Sequence, residues 1–514
     1  MAAAVTAQGQ KTLEVAKGRG MIYDRNLQPL VNEQSSYRAA VMPTEQAIRT
    51  VTELLPEQSM GILELARQGN PFTLELPTPY VYSGGVYVFE IKQRYSDPPL
   101  APHIVGYTDT AGTRGLSGIE KAYDTLLTQE EAAIRVSYQA DVLGNPVEGT
   151  TVQVDKDGYG VKEGVVLTLD KEIQQICRDA ALGLIGQSDS SREPMEKGGV
   201  LVMDPHSGDI LACVSFPEFS QNDVAASLEA EDSPFLNRCL SAYNVGSPFK
   251  LVVAAAALEN GISRYHTYTC KGYEDIGGQI FYCNNLAGHG EIDMKTAVEE
   301  SCNTYFIHLM DILGPDAVML MARSMGFGNG DQLAEGISGA AGNLPELELL
   351  RSLPAEAANL SFGQGQLLAT PLQLAKMISV IAGGGNSVTP RLVIGTTNQD
   401  ATAVASYEPV YAANPAILPR TAAVLREFMI GVVEEGSGIY AQPEEGGAGG
   451  KTGSAQTGIY REDEELVHAW FTGFYPALSP QYVIVVFVEE GESGAKAAAP
   501  IFKNIVDQLA KLDR

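Results

Sequence analysis

The chain of 514 residues has few positive charges. Its 35 lysines and arginines are outnumbered by 63 aspartates and glutamates, which gives a net charge of -28. Proteins that bind nucleic acid rely on Lys and Arg to neutralise phosphates, and an anionic lipid surface attracts the same residues. The composition therefore argues against a nucleic-acid partner and against electrostatic binding to a membrane surface.

Long hydrophobic runs are also missing. The longest uninterrupted apolar run, Leu251 to Leu258, is far shorter than the ~20 residues that a membrane-spanning helix needs. No secretory hydrophobic segment and no internal repeat is present. The printed sequence therefore predicts a soluble chain. Its opening residues, MAAAVTAQGQ, look like a trimmed end and leave room for a membrane anchor before them.

Cysteine is scarce, and the six cysteines include no C-x-x-C pair, which argues against zinc-ribbon and thioredoxin-like sites. Cys270, Cys283 and His289 do lie within one loop-like stretch. Their spacing is not that of common zinc ligands, so no metal ion and no cofactor is predicted. Two free thiols are favoured there. A Cys270–Cys283 disulfide and a metal site stay open as alternatives.

Three short motifs stand out by their order in the chain. They are Gly246–Lys250 (GSPFK), Ser301–Asn303 (SCN) and Gly449–Ala455 (GGKTGSA). The S-x-x-K pattern recurs at Ser493 and the S-x-N pattern recurs at Ser220, whereas K-T-G occurs once. Short patterns of common residues arise by chance, so order and structural context must separate the working motifs from the repeats.

The residues after Ser247 supply that context. An apolar, alanine-rich stretch follows and stops near Gly261, which predicts a helix. Ser247 is expected to cap this helix, with Pro248 at its first position. Lys250 would then share the face of the serine. A hydroxyl beside a lysine is an arrangement typical of a nucleophile with its general base, and the alternative is an ordinary capping serine.

The order of strand and helix patterns predicts an α+β protein with two domains. Residues 1–160 contain strand-like stretches such as Val81–Tyr95 and no catalytic cluster. A polar, glycine-rich connection at Val154–Gly164 predicts the boundary. Residues 161–514 predict two strands, a mostly helical block, three more strands and a closing helix. This order describes a sheet interrupted by an insertion, with the serine motifs on the insertion and K-T-G on the sheet.

These motifs resemble those of the class B penicillin-binding proteins, the monofunctional D,D-transpeptidases that crosslink peptidoglycan. Further segments similar to that family are Gly18–Val31, His103–Leu127, Ser361–Ala375 and His468–Pro476. Val245 and Pro248 stand where the family commonly has proline and threonine. The resemblance implies an N-terminal pedestal domain and a transpeptidase domain, the latter an antiparallel five-stranded sheet with helices on both faces and a largely helical insertion.

The resemblance also implies a role for each motif residue. Ser247 would be the nucleophile and Lys250 its general base. Ser301 would relay a proton, Asn303 would supply an orienting amide, and Lys451 would be a second cation. The second cation would help burial to lower the pKa of the general base. The donor's carboxylate would be held by Thr452, Gly453 and Ser454. The backbone N–H groups of Ser247 and Ser454 would form the oxyanion hole.

The predicted reaction is transfer of a D-Ala-D-Ala stem peptide, through a serine acyl-enzyme, to the amine of a neighbouring stem, and β-lactams would acylate the same serine. One alternative is hydrolysis, as in a D,D-carboxypeptidase or β-lactamase. Another is a non-catalytic scaffold or β-lactam sensor. The resemblance further implies a membrane glycan polymerase as partner and a place at the extracytoplasmic face of the bacterial membrane, with an N-terminal anchor before these residues.

Overall fold

The computed structural model describes residues 9–512, apart from 80–83, 143–144, 148–149, 186–193, 403 and 462. The strands are β1 (Gln10–Arg19), β2 (Met21–Tyr23), β3 (Ser35–Val41), β4 (Phe72–Leu76), β5 (Val86–Lys92), β6 (Thr128–Gln139), β7 (Gln153–Asp155), β8 (Gly164–Leu167), β9 (Gly198–Met203), β10 (Ile210–Phe216), β11 (Tyr243–Asn244), β12 (Tyr268–Cys270), β13 (Tyr273–Ile276), β14 (Gln279–Tyr282), β15 (Gly290–Ile292), β16 (Gln332–Ala334), β17 (Ile337–Ser338), β18 (Leu368–Ala369), β19 (Val393–Thr397), β20 (Val404–Ser406), β21 (Gly449–Arg461), β22 (Glu464–Tyr475) and β23 (Tyr482–Val488).

The α-helices are α1 (Glu45–Leu54), α2 (Ser59–Arg67), α3 (Pro102–Val105), α4 (Gly118–Ala122), α5 (Asp124–Leu127), α6 (Lys171–Ala181), α7 (Val224–Leu228), α8 (Lys250–Glu259), α9 (Met294–Glu299), α10 (Asn303–Leu313), α11 (Pro315–Ser324), α12 (Leu347–Ser352), α13 (Pro354–Ser361), α14 (Pro371–Ala382), α15 (Pro419–Glu434) and α16 (Ala499–Leu512). Short 3-10 turns lie at Pro56–Gln58, Ser247–Phe249 and Ile439–Ala441, and a π-helical turn lies at Gly494–Ala498. The opening residues discussed above and residues 81–83 of the predicted Val81–Tyr95 strand lie outside the described residues.

The chain forms two compact units. The first contains residues up to Leu100, Val105–Val166 and Gly395–Ser406, and the second contains Ala101–Ile104, Leu167–Ile394 and the residues from Tyr407 onward. The late segment joins the first unit because β19 lies beside β8 in a four-stranded sheet of order β2-β8-β19-β20. The hydroxyl of Thr397 also accepts a hydrogen bond of 2.8 Å from the backbone N–H of Gly164.

The first unit contains two three-stranded sheets, β1-β6-β7 and β4-β3-β5. Strand β3 serves two cores because successive side chains of a strand point to opposite faces. Ala39 and Val41 join the core that includes residues of α1 and α2, whereas Ala40 packs with residues of β1 and β6. A buried carboxylate, Glu120, is paired with Arg19 at 2.6 Å and with Arg94 at 2.7 Å.

The second unit is organised around a five-stranded sheet of order β10-β9-β23-β22-β21. Every neighbouring pair is antiparallel, as the resemblance implies. Strand β23 reads YVIVVFV and is buried almost throughout, which fits a strand covered on both faces. Helices α6 and α16 join its core on one face, and α14 packs on the sheet as part of the helical block. Strand β21, which carries K-T-G, is an edge strand of this sheet.

The insertion between β10 and β21 is less uniformly helical than predicted. It contains helices α7 to α15 and also several two-stranded sheets. In one of them, Gly277 and Gly278 form the two-residue turn between β13 and β14, with φ values of 63° and 92°. Such turns need two positive φ angles, which glycine supplies without strain. The Gly-Gly pair thus indicates a hairpin, and the prediction of a mostly helical block did not take it into account.

Among the described residues, no single helix has the length and apolar character to cross a membrane, although Asn303–Leu313 and Pro315–Ser324, bent by 104°, pass that test as a pair.

Candidate active site

Ser247 lies in a 3-10 turn that leads into helix α8. The N-cap of this turn is Gly246, whose φ of 69° is favourable for glycine, and no side chain caps it. The expectation that Ser247 caps the helix is therefore wrong. Its hydroxyl is engaged by other side chains instead, because the turn directs Oγ toward Lys250. By contrast, the repeat serine Ser493 is a capping residue, since its hydroxyl accepts from the N–H of Lys496.

Lys250 is fully buried in the first turn of α8, and four oxygen atoms surround its ammonium nitrogen. The distances from Nζ are 3.0 Å to Ser247 Oγ, 2.7 Å to the Ser301 carbonyl oxygen, 3.1 Å to Ser301 Oγ and 2.7 Å to Asn303 Oδ1. Ser301 Oγ is also 3.0 Å from Ser247 Oγ. The structure therefore brings the first two motifs together around one nitrogen.

The second motif is built from a helix end and the start of the next helix. Helix α9 ends in a Schellman motif, in which the N–H of Cys302 bonds to Ala297 O at 2.9 Å and that of Ser301 bonds to Val298 O at 3.3 Å. Ser301 occupies the left-handed position, with a φ of 55°, where glycine is usual. A serine there costs about 1–2 kcal/mol. In return, both its carbonyl oxygen and its hydroxyl oxygen lie within hydrogen-bond distance of Lys250 Nζ.

Asn303 begins helix α10, and its amide is fixed at both ends. Oδ1 accepts from Lys250, and Nδ2 donates to the Tyr282 carbonyl oxygen at 3.0 Å. The amide orientation is thereby determined by one donor and one acceptor. Asn303 thus links helix α10 to the β14 hairpin and to Lys250.

Burial strongly changes the proton affinity of both lysines. Desolvation lowers the pKa of Lys250 from 10.5 to about 7, although the thiols of Cys302 and Cys283 act in the opposite direction. Lys451 is also fully buried, and burial, followed by repulsion from Lys250, lowers its pKa well below the usual value. The sequence prediction assigned part of the effect on Lys250 to Lys451. Burial is the principal cause for both.

The third motif lies on edge strand β21. Lys451 Nζ donates to the Thr452 carbonyl oxygen at 3.3 Å, and the hydroxyls of Thr452 and Ser437 are 3.1 Å apart. Ser454 is exposed, and its hydroxyl accepts from the N–H of Gly494 at 3.3 Å. Ser437 was missed by the sequence prediction. It follows helix α15 in a glycine-rich loop, and no local signal ties it to K-T-G.

The first and third motifs pack directly against each other. A Cβ on Gly453 would lie 2.6 Å from Pro248 Cδ, and a Cβ on Gly246 would lie 3.0 Å from the Ser454 carbonyl oxygen. Both glycines are thus required for close approach of the two backbones. Pro248, the residue that departs from the family pattern, fills the space that Gly453 leaves. The serine turn and the K-T-G strand therefore meet as predicted.

The six cysteines are all free and buried. Cys283 and Cys302 approach to 3.7 Å between their sulfur atoms, far beyond the 2.05 Å of a disulfide. The Cys270–Cys283 disulfide considered above is absent, because both of these cysteines are free. Cys302, which the sequence prediction left out of the cysteine cluster, lies beside the other members. In the sequence prediction, Cys302 was considered only as the middle residue of the S-C-N motif.

A model of the penicillin binding protein transpeptidase domain matches residues 198–507. Stage V sporulation protein D of Bacillus subtilis is 29% identical over 96% of this chain and 78% of its own length. Peptidoglycan D,D-transpeptidase MrdA of Salmonella typhimurium is 25% identical over 97% of this chain and 89% of its own. A solved chain from a study of how a peptidoglycan synthase complex coordinates polymerization and crosslinking is 26% identical, with a TM-score of 0.72 over 97% of this chain and 91% of that chain.

The family match covers more than half of the chain and includes all three motifs. The curated relatives extend the similarity over nearly all of the sequence. The resemblance stated from the motifs is therefore confirmed. This chain belongs to the penicillin-binding protein transpeptidase family.

Proposed function

We propose that this chain is a peptidoglycan D,D-transpeptidase in which Ser247 is the nucleophile and neutral Lys250 is the general base. The contacts of Lys250 carry this proposal. Its two shortest contacts, both 2.7 Å, are to the Ser301 carbonyl oxygen and Asn303 Oδ1, which can only accept hydrogen bonds. A neutral amine has two N–H groups and one lone pair. With both N–H groups used there, the lone pair is left for the Ser247 hydroxyl.

The lowered pKa supports the same assignment. A lysine with a pKa of about 7 is neutral in about half of the molecules at pH 7, against roughly one in 2,500 for an unperturbed lysine. Ser247 Oγ attacks the carbonyl carbon of the penultimate D-Ala, and its proton moves to Lys250 Nζ. Collapse of the tetrahedral intermediate breaks the peptide bond. Ser301 Oγ, 3.0 Å from Ser247 Oγ, passes the proton to the departing amine of the terminal D-Ala.

The acyl-enzyme is then attacked by the amine of a neighbouring stem peptide, and the same groups act in reverse. The backbone N–H groups of Ser247 and Ser454 are proposed as the oxyanion hole, which the close packing of Gly246 against strand β21 supports. Thr452, Gly453 and Ser454 would hold the donor's carboxylate. That carboxylate would raise the lowered pKa of Lys451, because an opposite charge favours the ammonium form.

Hydrolysis is the competing outcome, because water and an amine attack the same intermediate. The similarity to D,D-transpeptidase MrdA along almost the whole chain supports transfer. We also propose residues 1–160 as the pedestal domain and 161–514 as the transpeptidase domain, except that Gly395–Ser406 belongs to the same compact unit as the pedestal. A membrane glycan polymerase is the proposed partner, in keeping with the synthase complex of the solved relative. The proposed location is the extracytoplasmic face of the bacterial membrane.

A fluorescent penicillin tests the nucleophile. The wild-type chain and Ser493→Ala should be labelled equally, since Ser493 only caps a helical turn, whereas Ser247→Ala should take no label. Intact-protein mass spectrometry then follows the adduct. A persistent adduct supports a penicillin-binding protein, and loss within seconds would indicate a β-lactamase. Equal labelling of Ser247→Ala would refute the assignment.

Transfer and hydrolysis are separated by product analysis. The wild-type chain is incubated with a stem peptide that ends in D-Ala-D-Ala, with and without an added acceptor amine. Transfer predicts a crosslinked product that carries the amine and releases one D-Ala per product. Release of D-Ala without any crosslinked product would contradict the transpeptidase proposal and support a carboxypeptidase.

A further inference from the structure

Three cysteines and one histidine meet beside the S-C-N motif. The sulfur atoms of Cys270, Cys283 and Cys302 and one ring nitrogen of His289 all lie within 4.8 Å of one another. Cys283 Sγ is 3.7 Å from Cys302 Sγ and 3.5 Å from His289 Nδ1. The three cysteines are buried and the histidine is half-buried. This cluster has no part in the acyl-transfer mechanism above.

Strand pairing explains how residues so far apart in sequence meet. Strands β12 and β15 are paired with Cys270 opposite Gly290, which places His289 next to Cys270. The N–H of Cys283 bonds to the Gly272 carbonyl oxygen at 2.9 Å at the base of the β13–β14 hairpin. Gly272 and Gly288 have positive φ angles, and a Cβ on either would collide with backbone within 2.4 Å. The glycines therefore allow the loops to pack this closely.

The distances match those between ligands of a tetrahedral metal ion. Bonds of about 2.3 Å to sulfur and about 2.1 Å to nitrogen place two sulfurs about 3.8 Å apart and a sulfur and a nitrogen about 3.6 Å apart. The observed values are 3.7 Å and 3.5 Å. The remaining ligand pairs lie within 4.8 Å and would need to shorten by no more than about 1 Å.

We infer that Cys270, Cys283, His289 and Cys302 form a structural zinc site. Three thiolates and an imidazole are ligands that zinc prefers, and four protein ligands complete a tetrahedron and leave no open position for a substrate. Spacing alone did not reveal the site, because Cys270 ends a strand, Cys283 and His289 flank two other strands, and Cys302 lies in a catalytic motif.

The zinc ion would position the second motif. Cys302 lies between Ser301 and Asn303, which both contact Lys250. Hydrogen bonds join the same regions, since Asn284 Nδ2 donates to the Glu300 carbonyl oxygen at 2.9 Å and Asn303 Nδ2 donates to the Tyr282 carbonyl oxygen at 3.0 Å. A metal bond to Cys302 would therefore hold the backbone of the motif to the β12–β15 region, and the residues of the site are positioning residues.

Metal analysis of the whole chain tests the site. Protein produced in zinc-containing medium and purified under reducing conditions should contain one zinc per chain by elemental mass spectrometry. Cys270→Ser and His289→Ala should lower this content at least about fivefold. His289→Cys should retain the metal, because a fourth thiolate is an equally good ligand. Cys177→Ala is the matched control, since Cys177 is a buried cysteine in the sheet core and should leave the metal content unchanged.

Cobalt exchange supplies a second measurement that does not depend on activity. Cobalt in the wild-type site should show tetrahedral d–d bands and thiolate charge-transfer absorption, and His289→Cys should intensify the charge-transfer band. The inference is overturned if the wild-type chain refolded with zinc or cobalt binds neither. It is also overturned if Cys270→Ser and His289→Ala keep full metal content, or if non-reducing mass spectrometry finds a disulfide between two of these cysteines.

Discussion

Replacement of Lys250 by methionine should abolish acylation and yet stabilise the folded chain at neutral pH. Lys250 is fully buried, and its pKa falls from 10.5 in the unfolded chain to about 7 in the folded one. This difference corresponds to about 5 kcal/mol at 1.36 kcal/mol for each factor of ten. At pH 7 about 4 kcal/mol of this cost applies, because the folded lysine is already half deprotonated. Methionine has a similar length and removes the cost.

The variant also loses hydrogen bonds, which offsets part of the gain. The Ser301 carbonyl oxygen and Asn303 Oδ1 lose their shared donor, at a cost of about 2 kcal/mol. The expected net gain in the free energy of unfolding at pH 7 is therefore about 2 kcal/mol. The burial cost is fully present below pH 7 and disappears as pH rises toward 10.5, since the unfolded lysine then also loses its proton. Near pH 9 the two proteins should be about equally stable.

Urea unfolding can be followed by the fluorescence of Trp470, the only tryptophan, which is fully buried on β22 in the second unit. Titrations at about pH 7 and about pH 9 give the difference in the free energy of unfolding at each pH. Labelling by fluorescent penicillin measures acylation in parallel. A Lys250→Met variant that is less stable than wild type at pH 7, or a stability difference that does not change with pH, would refute the reasoning.

Other predictions concern packing, protonation and buried charge. Gly453→Ala places a Cβ 2.6 Å from Pro248 Cδ, so penicillin acylation should slow at least about tenfold, whereas Gly61→Ala, in an open part of helix α2, should leave it unchanged. The wild-type acylation rate should rise with pH around a midpoint of about 7, as Lys250 loses its proton, and a rate that is constant between about pH 6 and about pH 9 would exclude Lys250 as the base. Glu120→Ala should lower the free energy of unfolding of the first unit by about 3–5 kcal/mol, because Arg19 and Arg94 keep buried charges, and calorimetry against the exposed-pair control Glu53→Ala measures this. Ser301→Gly should relieve the left-handed backbone at that position and raise the thermal midpoint, while penicillin acylation falls because the hydroxyl is lost.

The sheet could be predicted well from the sequence because its strands have local signals. The stretch QYVIVVFVEE contains β23, and GGKTGSA begins β21. Each is an apolar or glycine-marked run bounded by turn residues, which short-range patterning can detect. The approach of the Ser247 motif to the K-T-G strand was predicted from their order and from the resemblance, and the close packing of Gly453 against Pro248 agrees with it.

Other features depend on contacts that no local pattern reveals. Ser247 has the sequence of a helix cap, yet a 3-10 turn precedes α8 and the hydroxyl is taken by Lys250. Gly395–Ser406 joins the first unit although it lies more than two hundred residues after Val166. Cys302 comes close to Cys283 only because the β12–β15 pairing, the β13–β14 hairpin and the end of helix α9 meet there. Long-range convergence of this kind has no periodicity in the sequence.

The active site concentrates conformations that local preferences oppose. Ser301 holds a left-handed backbone that favours glycine, and Lys250 and Lys451 place two lysine side chains in a fully buried region. Each of these features costs free energy. Glycine in place of Ser301 would remove the backbone strain, and methionine in place of Lys250 would remove the burial cost, but both variants are expected to lose acylation activity. A fold selected for stability alone would therefore have replaced them. Their joint presence in one site is evidence, independent of any motif, that the second unit holds this region strained in order to carry out a reaction.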